Sequence, residues 1–243
     1  MKILAIDTSA LPCSVAILED DDLRASYTVD LKRTHSETLL PMIDSLFETT
    51  GIIKKEIDLI ACASGPGSFT GLRIGAATAK GIGLALDKPI IPVPTLLSLS
   101  YNCCVSQMDI VPVMDARRGQ VYTGIYRYER GSAALPDIIM EQCAIPVEKL
   151  IETINENGRS VLFLGDGVPV FKEKIEGLIK KEHSFAPAFI SRQRASALAE
   201  VSVLLHNEGR AVSADDFRLD YLRLSQAERE RLERERQSAS APG

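Results

Sequence analysis

The chain has 243 residues, 45% of them apolar and 25% charged, and carries a net charge of −5. That balance is that of a soluble protein able to bury one large core or two small ones. Its acidity argues against strong unaided binding to nucleic acid, where neutralised phosphates dominate affinity. No apolar run approaches the ~20 residues a membrane helix needs, and the first residues lack a signal-peptide core and cleavage site, so cytoplasmic residence is expected, with no membrane partner. The five cysteines include no Cys-x-x-Cys and the three histidines, His35, His183 and His206, lie far apart, so neither a disulfide framework nor a zinc site is indicated.

In chain order, residues 2–6, 14–18 and 23–29 read as three strands joined by turns rich in Asp, Ser and Pro, a meander that opens the fold. Thr34-His35-Ser36-Glu37 has the spacing of a capping box, and Leu39, Leu40, Ile43, Leu46 and Phe47 then recur on one helical face up to Gly51. Pro41 lies past the first turn and predicts a bend or a later start. Residues 59–63 form an apolar strand, residues 69–86 a helix, residues 89–93 a strand and residues 96–105 a helix. The second half begins as the first does: residues 110–115 are an apolar strand ending at Asp115, and residues 121–128 follow as a strand after a short polar turn, echoing residues 3–7 and 14–18. A helix over 147–155, a strand over 161–164, a helix over 170–181, an apolar run over 185–190 and a helix over 195–207 complete the body, and Phe217 with residues 221–223 folds back onto it.

This echo reads as an internal duplication. Two such blocks with carboxylate turns facing each other describe an α/β architecture of duplicated actin-like ATPase units, ribonuclease H-like, with mixed sheets flanked by helices. It is shared by actin, sugar kinases and the seventy-kilodalton chaperones; two unrelated α/β domains are the competing reading. The expected division is residues 1–106 as a first unit carrying partner-binding helices, 107–225 as a second, and 226–243 as a charged, partly disordered tail. In that tail, residues 227–236 alternate four Glu with four Arg and read as a solvated helix.

The most specific stretch is Gly65-Pro66-Gly67-Ser68-Phe69-Thr70-Gly71-Leu72-Arg73-Ile74-Gly75, set between a strand and a helix. A strand, a glycine turn and a helix N-terminus in that order aim unpaired N–H groups and partial positive charge at one spot, which suits an anion. No Gly-Lys-Ser/Thr follows, so it is not a Walker loop, and the third glycine falls one residue late for the dinucleotide fingerprint. The alternative is simply a tight strand-to-helix turn. Along the following helix Gly71, Gly75, Ala79 and Gly83 recur every four residues, a ridge of minimal side chains that lets another helix or a sheet approach closely.

Ile6-Asp7-Thr8-Ser9, the long glycine motif and Asp115-Ala116-Arg117-Arg118-Gly119-Gln120-Val121-Tyr122 together, in this order and spacing, resemble the TsaB (YeaZ-like) family of tRNA threonylcarbamoyladenosine biosynthesis proteins. The likeness runs from about residue 2 to residue 223, with residues 35–40 and Gly165-Asp166-Gly167 as further matches. The resemblance implies an actin-like ATPase fold and kinship with TsaD, the subunit that transfers threonylcarbamoyl to the adenosine beside the anticodon of tRNAs reading codons that begin with A. It implies a non-catalytic subunit that supports TsaD in an assembly including the ATPase TsaE, self-associates as a homodimer when alone, and meets tRNA only through the complex. The His-x-x-x-His pair with which TsaD relatives bind metal is absent from residues 95–102 here, so no metal site is expected.

Possible nucleotide- or anion-lining residues are therefore Asp7, Ser9, Gly65, Gly67, Ser68, Asp115 and Arg118. Asp7 and Ser9 either face a phosphate with its magnesium or cap their own turn. Asp115 with Arg117 and Arg118 either holds an anionic group or forms a solvated loop. His35 reads as a polar residue in a helix first turn. The expected partner interface is the apolar face Leu39, Ile43, Leu46 and Phe47 together with the stripe Gly71, Gly75, Ala79 and Gly83, forming an intermolecular helix bundle; the alternative lays the stripe on its own sheet. No catalytic residue and no cofactor is assigned, ATP or ADP at a shared subunit junction being the open place. The competing functions are an actin-fold ATP-dependent small-molecule kinase or ATPase, with Asp7 and Asp115 as magnesium-side carboxylates, and, third, a metallopeptidase.

Overall fold

The computed structural model describes residues 1–129 and 134–222; the charged tail predicted for 226–243 lies outside the described residues. Two five-stranded sheets carry the architecture. In the first, β1 (Lys2–Asp7) is central, flanked by antiparallel β2 (Cys13–Glu19) and β3 (Asp22–Val29) on one side and by parallel β4 (Leu59–Gly65) and β5 (Ile90–Pro94) on the other. In the second, β6 (Asp109–Asp115) takes the central place, with antiparallel β7 (Gln120–Arg127) and β8 (Asp137–Pro146) on one side and parallel β9 (Val161–Leu164) and β10 (His183–Phe185) on the other. Strand for strand the two sheets repeat one order and one set of directions, so the duplication read from the sequence is present in three dimensions, and the fold is that of duplicated actin-like units.

Alternation along β1 explains its place. Ile3 and Ala5 face one layer while Leu4 and Ile6 face the other, and all four are fully buried. A strand covered on both faces reads as a continuous apolar run, as this one does. On the Leu4 and Ile6 side lie α1 (His35–Thr50) and α2 (Phe69–Leu86). On the Ile3 and Ala5 side lie α3 (Thr95–Tyr101) and α6 (Ala195–Asn207), in a core shared with Ile110, Met114 and Leu164 of the second sheet. The far face of the second sheet is covered by α4 (Val147–Asn157) and α5 (Val168–Leu178).

Four expectations are corrected. β8 has no counterpart among the predicted strands: it is a half-exposed edge strand without a clean two-residue alternation. α6 falls in residues 107–225 but packs on β1, β2 and β5 of the first sheet, and Val212 pairs with Ile90 in both directions, so the end of the body returns to the first unit. α1 starts at His35 and runs through Pro41, and Thr34 makes no side-chain cap bond, so the capping box does not form. α3 ends at Tyr101, earlier than expected.

The partner-interface residues are corrected as well. Leu39, Ile43, Leu46 and Phe47 are buried in the protein's own core, and Gly71, Gly75, Ala79 and Gly83 are buried with them. The stripe lies on its own sheet. A Cβ at Gly71 would collide with the Thr8 carbonyl, one at Gly75 with the Thr8 hydroxyl, and one at Gly83 would press on Ala214 and the Lys88 carbonyl. Thr8 Oγ1 donates to the Gly71 carbonyl at 2.8 Å, a buried bond that needs this close approach. Each helical Gly gives up about 1 kcal/mol of propensity relative to Ala, and backbone-level packing of helix on sheet is what offsets it.

Candidate functional site

The two central strands end at Asp7 and Asp115, and a cleft of about 510 Å³ opens beside these ends, lined from both units. This is the volume range of small-molecule sites. From the first unit come Ser9, Arg33, His35, Gly67 and Ser68; from the second come Met114, Asp115, Arg117, Tyr122 and Asp166; Asp220, Tyr221 and Leu222 complete the lining.

Asp7 sits behind this lining and is fully buried. Its Oδ1 accepts from the Ser9 amide at 2.9 Å and the Ser9 hydroxyl at 2.6 Å, while Oδ2 is buried with no partner. Burial pushes its carboxyl above the usual range, opposed by the two Ser9 bonds and the charge of His35. The Ser9 bonds cap the turn through one carboxylate oxygen only. The glycine turn is likewise closed by its own chain. Gly65, at φ +118°, lies against the Asp220 carbonyl and is not part of the lining, and Gly67 lies against the Ser9 carbonyl. The Ser68 amide donates to Ser9 O, that of Gly71 to Ser68 Oγ, and that of Leu72 to Ser68 O. Of the donors expected to cradle an anion, the Ser68 and Gly71 amides are committed to this packing, while Ser68 itself lines the cleft and caps α2.

The second turn is built differently. Asp115 Oδ1 accepts from the Arg117 amide at 2.8 Å, its other oxygen lies 3.5 Å from the Arg117 guanidinium, and Arg117, Arg118 and Gly119 are all left-handed, at φ +66°, +57° and +74°. Of the two arginines Arg117 lines the cleft and Arg118 does not, and the Asp115 carboxylate holds both the amide and the side chain of Arg117. Gly165 and Gly167 press against the Val113 backbone and set Asp166 between them, facing the cleft with one buried, unpartnered oxygen. Burial raises its carboxyl, with Arg192 opposing the shift. The cleft thus mixes three carboxylates, Asp115, Asp166 and Asp220, with Arg33, His35 and Arg117, a lining that would suit an anion accompanied by a cation. His35 opens α1 and its Nε2 lies 2.9 Å from the Ala10 carbonyl. Among the described residues no three His, Cys, Asp or Glu side chains converge as a metal-holding group.

Comparison with known proteins fits this arrangement. The family model described as "TsaD: tRNA N6-adenosine threonylcarbamoyltransferase" matches residues 29–230. The tRNA threonylcarbamoyladenosine biosynthesis protein TsaB of Bacillus subtilis (strain 168) is 37% identical over 233 residues, covering 96% of this chain and 99% of that protein. The chain belongs to this family, on its TsaB branch. TsaB of Escherichia coli (strain K12) is 35% identical over 153 residues, 58% of this chain and 66% of that one. The solved structure of YeaZ from Pseudomonas aeruginosa superposes with a TM-score of 0.78 at 26% identity, covering 91% of this chain and 99% of that one.

Of the sequence-predicted site residues of this TsaB-family chain, the structure brings Ser9, Gly67, Ser68 and Asp115 to the cleft, and leaves Asp7 behind it, Gly65 under the C-terminal segment and Arg118 outside the lining. It keeps Arg117 of the arginine pair read beside Asp115 and adds Arg33, Tyr122, Asp166 and residues 220–222. The duplication contained a signal for one of these: Gly165-Asp166-Gly167 ends β9, the topological equivalent of β4 and its Gly65 turn.

Proposed function

We propose that this protein is a non-catalytic subunit in the formation of N6-threonylcarbamoyladenosine beside the anticodon of tRNAs reading codons that begin with A, working in the cytoplasm. It binds and supports a TsaD-like transferase in an assembly with a TsaE-like ATPase, pairs with itself when alone, and reaches tRNA only through that complex. The observation that carries this reading is the match to Bacillus subtilis TsaB along essentially the whole of both chains.

With the buried face of α1 and α2 used internally, the partner surface is their solvent side, where Leu40 and Leu84 are 54% and 61% exposed. Exposed leucines on adjacent helices suit a helix-on-helix contact. Leu84→Glu and Leu40→Glu should each weaken co-purification with the TsaD-like subunit by about tenfold or more while circular dichroism is unchanged. Reconstitution of tRNA modification with and without the chain tests the role itself: modification that proceeds equally well without it overturns the proposal.

The cleft supports a second reading, nucleotide held there or at a shared subunit junction, since its lining combines Arg33 and Arg117 with the carboxylates of Asp115, Asp166 and Asp220. Titration of the isolated chain with Mg-ATP separates the two. Binding with turnover favours an ATPase or kinase, and silence favours the subunit.

A further inference from the structure

The chain's last described segment crosses the seam between the two units. Val212 is bridged to β5, Ala214 and Phe217 are buried against the first unit, and Leu219 packs, partly buried, on both cores that flank the first sheet, so the segment is anchored up to residue 219. Beyond that its character changes. The Asp220 amide donates to the Ser64 carbonyl at 2.7 Å, and its own carbonyl rests on Gly65, a position where any side chain would block it. The Asp220 carboxylate accepts from Gln142 Nε2 on β8 at 2.7 Å, which reaches the second unit. Tyr221 lies with its ring 5.2 Å from that of Phe69, its hydroxyl accepts from Arg73 Nε at 3.2 Å, and the Arg73 guanidinium sits 3.8 Å over the Phe69 ring. Asp220, Tyr221 and Leu222 all line the cleft, whose deeper wall includes Met114, only 3% exposed.

A firmly packed stem followed by residues that, among the described ones, are held by a few hydrogen bonds and one ring contact opens locally at lower free energy than the core. We propose that residues 220–222 are a latch over the cleft: closed, they clamp β8 of the second unit to the glycine turn of the first, and released, they open the cleft to solvent. Gly65 is then the latch's seat, which accounts for a glycine the cleft lining does not use. Arg73 lies on α2, so the latch's outer end is within reach of whatever docks on that helix.

The test uses the full chain and its own methionines. Peroxide oxidation of Met114, read by peptide mass spectrometry, reports exposure of the cleft wall, and Met42 on α1 serves as the internal control. Tyr221 is 40% exposed, so Tyr221→Ala leaves the core intact. In Tyr221→Ala and in Gln142→Ala the Met114 oxidation rate should rise roughly tenfold, the size of one lost ring contact or hydrogen bond, with Met42 unchanged. An unchanged Met114 rate in both variants, or Met42 rising in step with Met114, would overturn the latch.

Discussion

The first and second units place an aspartate at the same point, the end of the central strand beside the cleft, and treat it in opposite ways. Asp7 is sealed: Ser9 occupies one oxygen, Gly67 and Gly71 let backbone close in behind it, and no part of it lines the cleft. Asp115 is open: its turn runs through three left-handed residues and presents an arginine whose side chain is 86% exposed. One topology therefore supplies both a structural turn and a turn available to a ligand, and what decides between them is whether neighbouring glycines let the chain's own backbone fill the space.

The largest effect that could break this contrast comes from the glycines. Gly67→Ala sets a Cβ into the Ser9 carbonyl, backbone against backbone, where nothing flexible can yield. It should cost about 3 kcal/mol in urea unfolding. Gly119 in the facing turn has open space around it and only its φ of +74° to lose, so Gly119→Ala should cost about 1 kcal/mol. Equal costs would mean that the first turn is no more tightly packed than the second.

The far ends of the same two strands differ the other way round. At the start of β6, Asp109 is 1% exposed and accepts from Arg127 Nε and Nη2 at 2.8 and 2.9 Å, with Arg159 Nε at 3.3 Å. At the start of β1, Lys2 pairs with Glu56 and Glu19 near the surface. Asp109→Ala leaves two guanidiniums without their counter-charge and should cost about 2 kcal/mol, moderated because both arginines can rehydrate. Lys2→Ala should cost clearly less than that and lose even the small effect in high salt. Thermal unfolding at two salt concentrations checks both, and a Lys2 variant as damaging as the Asp109 one removes the distinction.

Much of this was legible in the chain. α2 runs from Phe69 to Leu86 as its flanking turns require, α6 runs from Ala195 to Asn207, and the echo of Ile3 to Asp7 in residues 110–115 carried the duplicated fold. What escaped was whatever depends on distant partners. A ridge of Gly71, Gly75, Ala79 and Gly83 announces close approach but not to what; Thr8, sixty-three residues before Gly71, is the answer. β8 is an edge strand whose pairing with β7 slips at two places, so its pattern alone does not declare it, although the third strand of the first meander could have. Arg33 and Asp220 reach the cleft through loop conformation and long-range pairing, which local periodicity does not encode.

The smallest expected effect sharpens the comparison most, because it has a sign. Burial raises the Asp7 carboxyl, so the folded protein holds that proton more tightly than the unfolded chain does. Ionised Asp7 therefore subtracts stability at neutral pH. The subtraction fades as pH falls through the folded pKa toward the ordinary carboxylate value of about 4. Asp7→Asn keeps an oxygen to accept from both Ser9 donors and removes the buried charge, so it should melt higher than the wild type at pH 7 to 8, the advantage shrinking as pH is lowered. Asp115→Asn loosens a partly exposed pair with Arg117 and should change stability by less than about 1 kcal/mol. An Asp7→Asn variant less stable than the wild type at neutral pH would mean that the ionised carboxylate is favoured where it sits, as a retained phosphate-and-metal turn would require, and the sealed reading of the first turn would fail.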